Sequence, residues 1–176
     1  EGMTSKTTKT AAFIIDPLDQ LNPTKDSSLA MMQGLQERGY TLSVFETKDL
    51  YAQNGRAFGL GFSIELQLDQ TKIYKPLSSK AVVSLDDVDV IFMRKDPPFD
   101  AEYIHATHIL ELAQTRVVNA PDALRMFNEK ASLMRFPEFA PPSMLARSQD
   151  RLRAFLQEHQ RIVIKPLNQM GGRGIF

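Results

Sequence analysis

The 176-residue chain carries 21 Lys plus Arg against 21 Asp plus Glu, so no net field would gather it onto nucleic acid or an anionic membrane, and small, locally recognised ligands are the expected partners. A hydrophobic fraction of 43% supplies a packed core and one to two domains, and no apolar run approaches the roughly 20 residues that span a bilayer. The absence of cysteine excludes a disulfide scaffold, a thiolate nucleophile and a Cys-type zinc site in this stretch and is compatible with a reducing cytoplasm. Glu1-Gly2 ahead of Met3 reads as a cloning scar, with Met3 as the natural start.

In chain order, Ala11 to Ile15 is a short apolar run closed by Asp16-Pro17, the pattern of a buried strand. Asp26-Ser27-Ser28 offers N-cap chemistry for a helix whose stripe is Leu29, Met32, Leu35 and Gln36, and Gly39 is placed to stop it in a left-handed conformation. Thr41 to Phe45 alternates as a second strand. Asn54-Gly55 between Tyr51 and Phe58 is a hairpin turn signal, and Phe62, Ile64, Leu66 and Leu68 alternate beyond it, whereas Thr71 to Leu85 has little pattern and reads as an irregular connection.

Val88 to Met93 is nearly all apolar, as a central parallel strand covered on both faces would be. A helix from about Asp100, with Tyr103, Ala106, Ile109, Leu110 and Ala113 inward, and a short strand at Val117-Val118-Asn119 complete an alternation that predicts a doubly wound parallel sheet. The boundary is placed near Ala120 to Pro121, giving units 1–120 and 121–176. In the second unit the spacing of Leu124, Phe127, Ala131 and Met134 predicts one helix ended by Pro137. A short strand at Ser143 to Ala146, a helix from Gln149 to His159 burying Leu152, Phe155 and Leu156, and a strand from Arg161 to Lys165 follow.

Three segments carry candidate chemistry. Lys165, in an apolar strand expected to be covered on both sides, needs an anionic partner. Gly171, Gly172 and Gly174 would let backbone amides approach a phosphate, with Arg173 adding charge and Ile175-Phe176 returning as a hairpin strand. The loop is neither a Walker A motif nor a dinucleotide fingerprint. The plainer alternative is an edge strand with a solvated lysine.

Arg94-Lys95-Asp96-Pro97-Pro98-Phe99-Asp100 is the second segment. It lies past the carboxyl end of a central strand, where open α/β sheets bind ligands, and Arg94 can grip a carboxylate with two parallel bonds. Surface ion pairs among Arg94, Lys95, Asp96 and Asp100 are the competing explanation. Asp26-Ser27-Ser28, the third, could hold an anion at the helix start, although capping is the commoner use of such residues. Lys130 falls on the polar face of the expected helix. His105 and His108 lack a ligand pattern that would make them a metal site.

The Asp26-Ser27-Ser28 helix start, the Met93 to Asp100 run, Asn119, Asn128-Glu129-Lys130, Lys165-Pro166-Leu167 and Met170-Gly171-Gly172 together resemble prokaryotic glutathione synthetase, an ATP-grasp family, nearly end to end. The resemblance implies a peptide-substrate α/β domain followed by the beginning of an ATP-grasp domain, truncated at about half the usual length and inactive alone. It implies ATP and Mg2+ (or Mn2+), with γ-glutamylcysteine and glycine as substrates, and a cytoplasmic homo-oligomer. By the same resemblance Lys130, Lys165, Met170, Gly171, Gly172, Arg173 and Gly174 serve ATP. Arg94, Lys95, Asp26, Ser27 and Ser28 serve the peptide, Arg94 as the catalytic candidate, and the magnesium ligands are expected downstream. Another ATP-grasp carboxylate–amine ligase and a binding module without turnover are the alternatives.

Overall fold

The structure is a computed structural model and describes residues 8–169 and 174–176. Strand β1 (Thr10–Ile14) lies at its centre, with Ala11 through Ile14 all fully buried. It pairs in parallel with β2 (Thr41–Phe45), Phe13 opposite Val44. On its other side it pairs in parallel with β7 (Val90–Met93), Phe13 opposite Phe92, and β7 pairs in parallel with β8 (Val117–Val118). Because successive strand side chains point to opposite faces, Ala11, Phe13 and Ile15 enter one core with Leu29 and Met32 of helix α1 (Ser27–Glu37). Ala12 and Ile14 enter a second core with Ala106 and Leu110 of helix α2 (Ala101–Leu110). Helices on both faces are what a continuous apolar strand requires.

The expected hairpin joins β3 (Leu50–Gln53) to β4 (Arg56–Leu66) through Asn54 and Gly55, both at positive φ. Strand β4 is antiparallel to β2 and long enough to serve two sets of partners. Its first half pairs with β3 and β6 (Ala81–Ser84), its second with β2 and β5 (Tyr74–Pro76). The stretch expected to be irregular thus supplies two short edge strands, and the eight-stranded sheet is parallel in its β2-β1-β7-β8 centre and antiparallel beyond β2. At Gly61 a β-carbon would lie 2.4 Å from the Phe45 ring and 2.5 Å from the Val44 carbonyl, so glycine is what lets β4 cross that side chain.

The second half of the chain departs from its periodicity. The single helix expected over Leu124 to Met134 is two pieces, α3 (Pro121–Met126) and a 3-10 turn over Ala131–Arg135. The break is local chemistry. The Asn128 side-chain oxygen accepts from the backbone amides of Lys130 (2.9 Å) and Ala131 (3.0 Å), offering the chain an alternative to helical bonds. Helix α4 (Gln149–His159) forms under its Ser148 cap but buries none of its residues, and Leu156 is 43% exposed. The segments 143–146 and 161–165, expected as strands, join no strand ladder. Ile164 exchanges both backbone bonds with Phe176, at 2.9 and 3.1 Å.

Candidate active site

The carboxyl ends of β1 and β7 and the start of α1 meet at one corner. Asp26 caps α1, its Oδ1 accepting from the amides of Ser28 (2.7 Å) and Leu29 (3.2 Å). Those amides are therefore spent on the cap, and the helix start does not offer them to a ligand. What it offers is the hydroxyls. Arg94, leaving β7 with its own amide on the Ile14 carbonyl, donates from Nε to Ser28 Oγ (2.9 Å) and from Nη2 to Ser27 Oγ (2.8 Å). A hydroxyl that accepts keeps its proton to donate. No carboxylate lies within ion-pair distance of Arg94 among the described residues, so the Nη1/Nη2 edge of the guanidinium retains donor capacity.

Lys95 behaves differently from its neighbour. Its ammonium pairs with Asp16 Oδ1 at 2.8 Å and donates to the Asp96 carbonyl at 2.7 Å, while Asp16 Oδ2 accepts from the Asp96 amide at 2.9 Å. Asp16 thus straps the ledge to the end of β1. Of the two adjacent cations in this run only Arg94 is left without a carboxylate partner, because Asp16, whose sequence context marks it only as a strand terminator, neutralises Lys95. No Arg94 or Lys95 ion pair with Asp96 or Asp100 forms; Asp100 instead caps α2, its Oδ1 accepting from the Tyr103 amide at 3.0 Å.

Partial desolvation raises the Asp96 carboxyl from its ordinary value, and Asp16 and Asp26 push the same way against Lys95 and Arg94. Burial likewise raises the Tyr103 phenol, with Arg94 opposing. Perturbed groups converging beside an unpaired guanidinium mark a candidate site. Tyr103, tilted against Phe99 at 5.2 Å, is legible in the sequence only as a helix-stripe residue. Alongside runs a cleft of about 220 Å3 at the ends of β1 and β2, with Ile15, Val44 and Phe62 in its wall and Asp16, Glu46 and Asp49 among its polar groups.

The nucleotide-side candidates fall in a second cluster. Lys130 begins the 3-10 turn rather than lying on a helix face, and its ammonium donates to the Gln169 carbonyl and pairs with Glu129 at 3.1 Å. Asn128 Nδ2 donates to the Leu167 carbonyl at 3.0 Å. Two side chains from one segment therefore hold the chain just ahead of the glycine-rich turn. Lys165 does not sit in a buried strand, since it is exposed and its neighbours Val163 and Ile164 are 66% and 40% exposed. No ion pair to Lys165 forms among the described residues. Burial therefore demands no anionic partner for it, though an exposed ammonium remains available to phosphate. Gly174 takes a positive φ of 65°. Met170, Gly171, Gly172 and Arg173 lie outside the described residues. Among the described residues no three His, Asp or Glu side chains gather as a candidate cation site, and no helix is long and apolar enough to cross a membrane.

Residues 10–125 match the family described as prokaryotic glutathione synthetase, N-terminal domain, and residues 129–176 match prokaryotic glutathione synthetase, ATP-grasp domain. The chain is 41% identical over 167 residues to a glutathione synthetase of Vibrio parahaemolyticus. It is 42% identical over 167 residues to those of Vibrio cholerae and Pseudomonas syringae pv. tomato. In each case 93% of this chain is covered and 52% of the relative, so the chain spans about half the length of the curated relatives it matches. Among solved structures it resembles D-alanyl-alanine synthetase A from Vibrio cholerae, with a TM-score of 0.51 and 15% identity over 97% of this chain and 52% of that one, a likeness of fold alone.

Proposed function

Because the chain belongs to the prokaryotic glutathione synthetase family, we propose that the whole protein joins glycine to γ-glutamylcysteine at the expense of ATP, giving glutathione, ADP and phosphate. In this reading residues 1–120 are the peptide-substrate domain and 121–176 open the ATP-binding domain of a cytoplasmic homo-oligomer. The observation that carries it is Arg94, buttressed on two serine hydroxyls at the carboxyl end of a parallel strand and left without an anionic partner among the described residues. A guanidinium fixed through one edge presents the other to a carboxylate at no further ordering cost. γ-Glutamylcysteine is a substrate with free carboxylates.

The chemistry runs in two displacements. An oxygen of the cysteinyl carboxylate attacks the γ-phosphorus of ATP, the bond to ADP breaks, and an acyl phosphate forms. The glycine amine then attacks the acyl carbon, the carbon–oxygen bond breaks, phosphate leaves, and the amine loses its proton. Arg94, Ser27 and Ser28 orient the peptide, with Asp26 and the Lys95–Asp16 strap holding them in place. Lys130 and Lys165 offset phosphate charge and the glycine-rich 170–174 segment serves the nucleotide with them; positioning and charge neutralisation are the main contributions a protein makes to phosphoryl transfer. Magnesium would offset the charge of ATP; among the described residues no three carboxylate or imidazole side chains gather to hold it.

The deciding measurement is ADP release by the complete protein with magnesium, ATP and γ-glutamylcysteine, with and without glycine. Glycine-dependent release that yields glutathione is expected; ATP binding without release on these substrates would shift the reading to another carboxylate–amine pair. In the complete enzyme Arg94→Ala should raise the KM for the dipeptide by roughly tenfold or more and that for ATP far less, while Lys165→Ala does the reverse. Swapped effects would remove both assignments.

A further inference from the structure

Arg125 takes no part in either cluster, yet it makes a close ion pair with Glu111 across two helices. Its Nη2 donates to both carboxylate oxygens of Glu111, at 2.8 and 2.7 Å, and its Nη1 donates to Thr107 Oγ1 at 3.1 Å. Thr107 is fully buried in α2 and is itself tied to the Ile104 carbonyl at 2.7 Å. The guanidinium, from the last turn of α3, is thus clamped to the last turn of α2 by three bonds in a planar fork that lysine cannot reproduce.

The position of this clamp in the chain gives it consequence. Helix α2 starts at Ala101 under its Asp100 cap, directly after the Arg94 ledge, and packs into the core through Ala106 and Leu110. At its far end it grips Arg125. Two residues after α3 ends, Asn128 accepts from the Lys130 and Ala131 amides and donates to the Leu167 carbonyl, and Lys130 donates to the Gln169 carbonyl. Helix α2 therefore carries the peptide ledge at one end and, through Arg125, the lysine segment at the other.

We propose that Arg125 is a positioning residue for the nucleotide: by clamping α3 to Glu111 and Thr107 it sets where Asn128 and Lys130 stand. The proposal rests on the reading of Lys130 as a phosphate contact. With Glu111 about half exposed, the pair adds little to global stability, whereas small displacements of a binding group are costly to function. A role in positioning and a role in stability therefore predict different measurements.

The test is ADP affinity by calorimetry, together with KM values for ATP and γ-glutamylcysteine, in the complete protein. Arg125→Gln is expected to weaken ADP binding about three- to tenfold and to leave the dipeptide KM within about twofold. Glu111→Gln, which touches nothing on the nucleotide side, should weaken ADP in the same direction. The double variant should be no weaker than Arg125→Gln, because the two residues act as one unit. Arg125→Lys should recover only part of the affinity. Unchanged ADP affinity in Arg125→Gln, equal weakening of ADP and dipeptide, or additive effects in the double variant would each overturn the proposal. Should Arg125→Gln fail to fold, Glu111→Gln at its half-exposed site decides between the same two outcomes by itself. Lys130→Ala separates the two layers. If it weakens ADP while Arg125→Gln does not, only the clamp is refuted; if it leaves ADP affinity unchanged, the nucleotide reading falls and the clamp with it.

Discussion

Phe13 and Phe139 are the same residue in two halves of one chain, one fully buried and the other 81% exposed. The contrast holds for their surroundings. Every buried apolar residue among those described lies at or before Leu110, on the two faces of one sheet. Beyond it the apolar positions Met126, Phe127, Phe136, Leu145, Leu156 and Val163 stay open, Phe127 and Leu156 among them although each falls on a helical stripe. Periodicity states which residues an element would turn inward. Whether an inside exists depends on a second surface facing it, and the first half has that surface because β1 lies between α1 and α2.

The sharpest way to break this comparison is to truncate the two phenylalanines in the 176-residue chain and follow urea unfolding. Phe13→Ala should cost about 3–5 kcal/mol through lost transfer energy and the cavity left beside Phe92, whose ring stacks on it at 4.8 Å. Phe139→Ala should change stability by less than about 0.5 kcal/mol. Similar costs at both sites would mean the second half holds a core of its own. Next in size is Gly61→Ala, expected to cost about 1–3 kcal/mol by forcing the Phe45 ring and the Val44 carbonyl away from β4. At Gly59 the nearest atoms to the new methyl belong to the Phe45 and Leu50 side chains and not to backbone, so Gly59→Ala should cost less. A neutral Gly61→Ala would show that the crossing is loose.

The smallest expected effect belongs to the ledge. Asp96 has its carboxyl raised by burial and by Asp16 and Asp26, so the folded chain holds that proton more tightly than the unfolded one. Below the ordinary carboxylate range this contributes nothing. As pH rises through the raised value, ionisation in the folded state costs stability. Asp96→Asn should therefore raise Tm slightly at neutral pH, with the gain disappearing as pH falls below about 4. A variant less stable at neutral pH would mean that the carboxylate makes a favourable contact.

Much of the candidate site is legible in the sequence because it is local. Asp26-Ser27-Ser28 forms the cap its residue types favour, Gly39 stops α1 at a φ of 80°, and Asn54-Gly55 turns the hairpin. The Arg94 run falls at a strand end, as an apolar strand followed by two cations and two prolines suggests. Less legible are the partners. Asp16 reads as the close of a strand, and nothing in its neighbourhood announces that it will meet Lys95, 79 positions away, across the junction of β1 and β7. Arg125 and Glu111 look like ordinary helix-surface charges until α2 and α3 are brought together.

By itself the sequence determined the elements whose signals act within a turn or two of chain: β1, β2, β7, the three helices α1, α2 and α4, their caps, the hairpin, and which residue types stand at the strand ends. The break after α3 was also local, since Asn128 needs only the two amides beyond it. Only the tertiary structure decided that β4 would serve two sets of partners, that Lys95 would be neutralised while Arg94 kept its donors, and that Lys165 would lie open instead of in a covered strand. Those outcomes depend on contacts between residues far apart in sequence. The free energy of a charge or an apolar side chain is set by what surrounds it, and the chain's own pattern specifies the residue but not its surroundings.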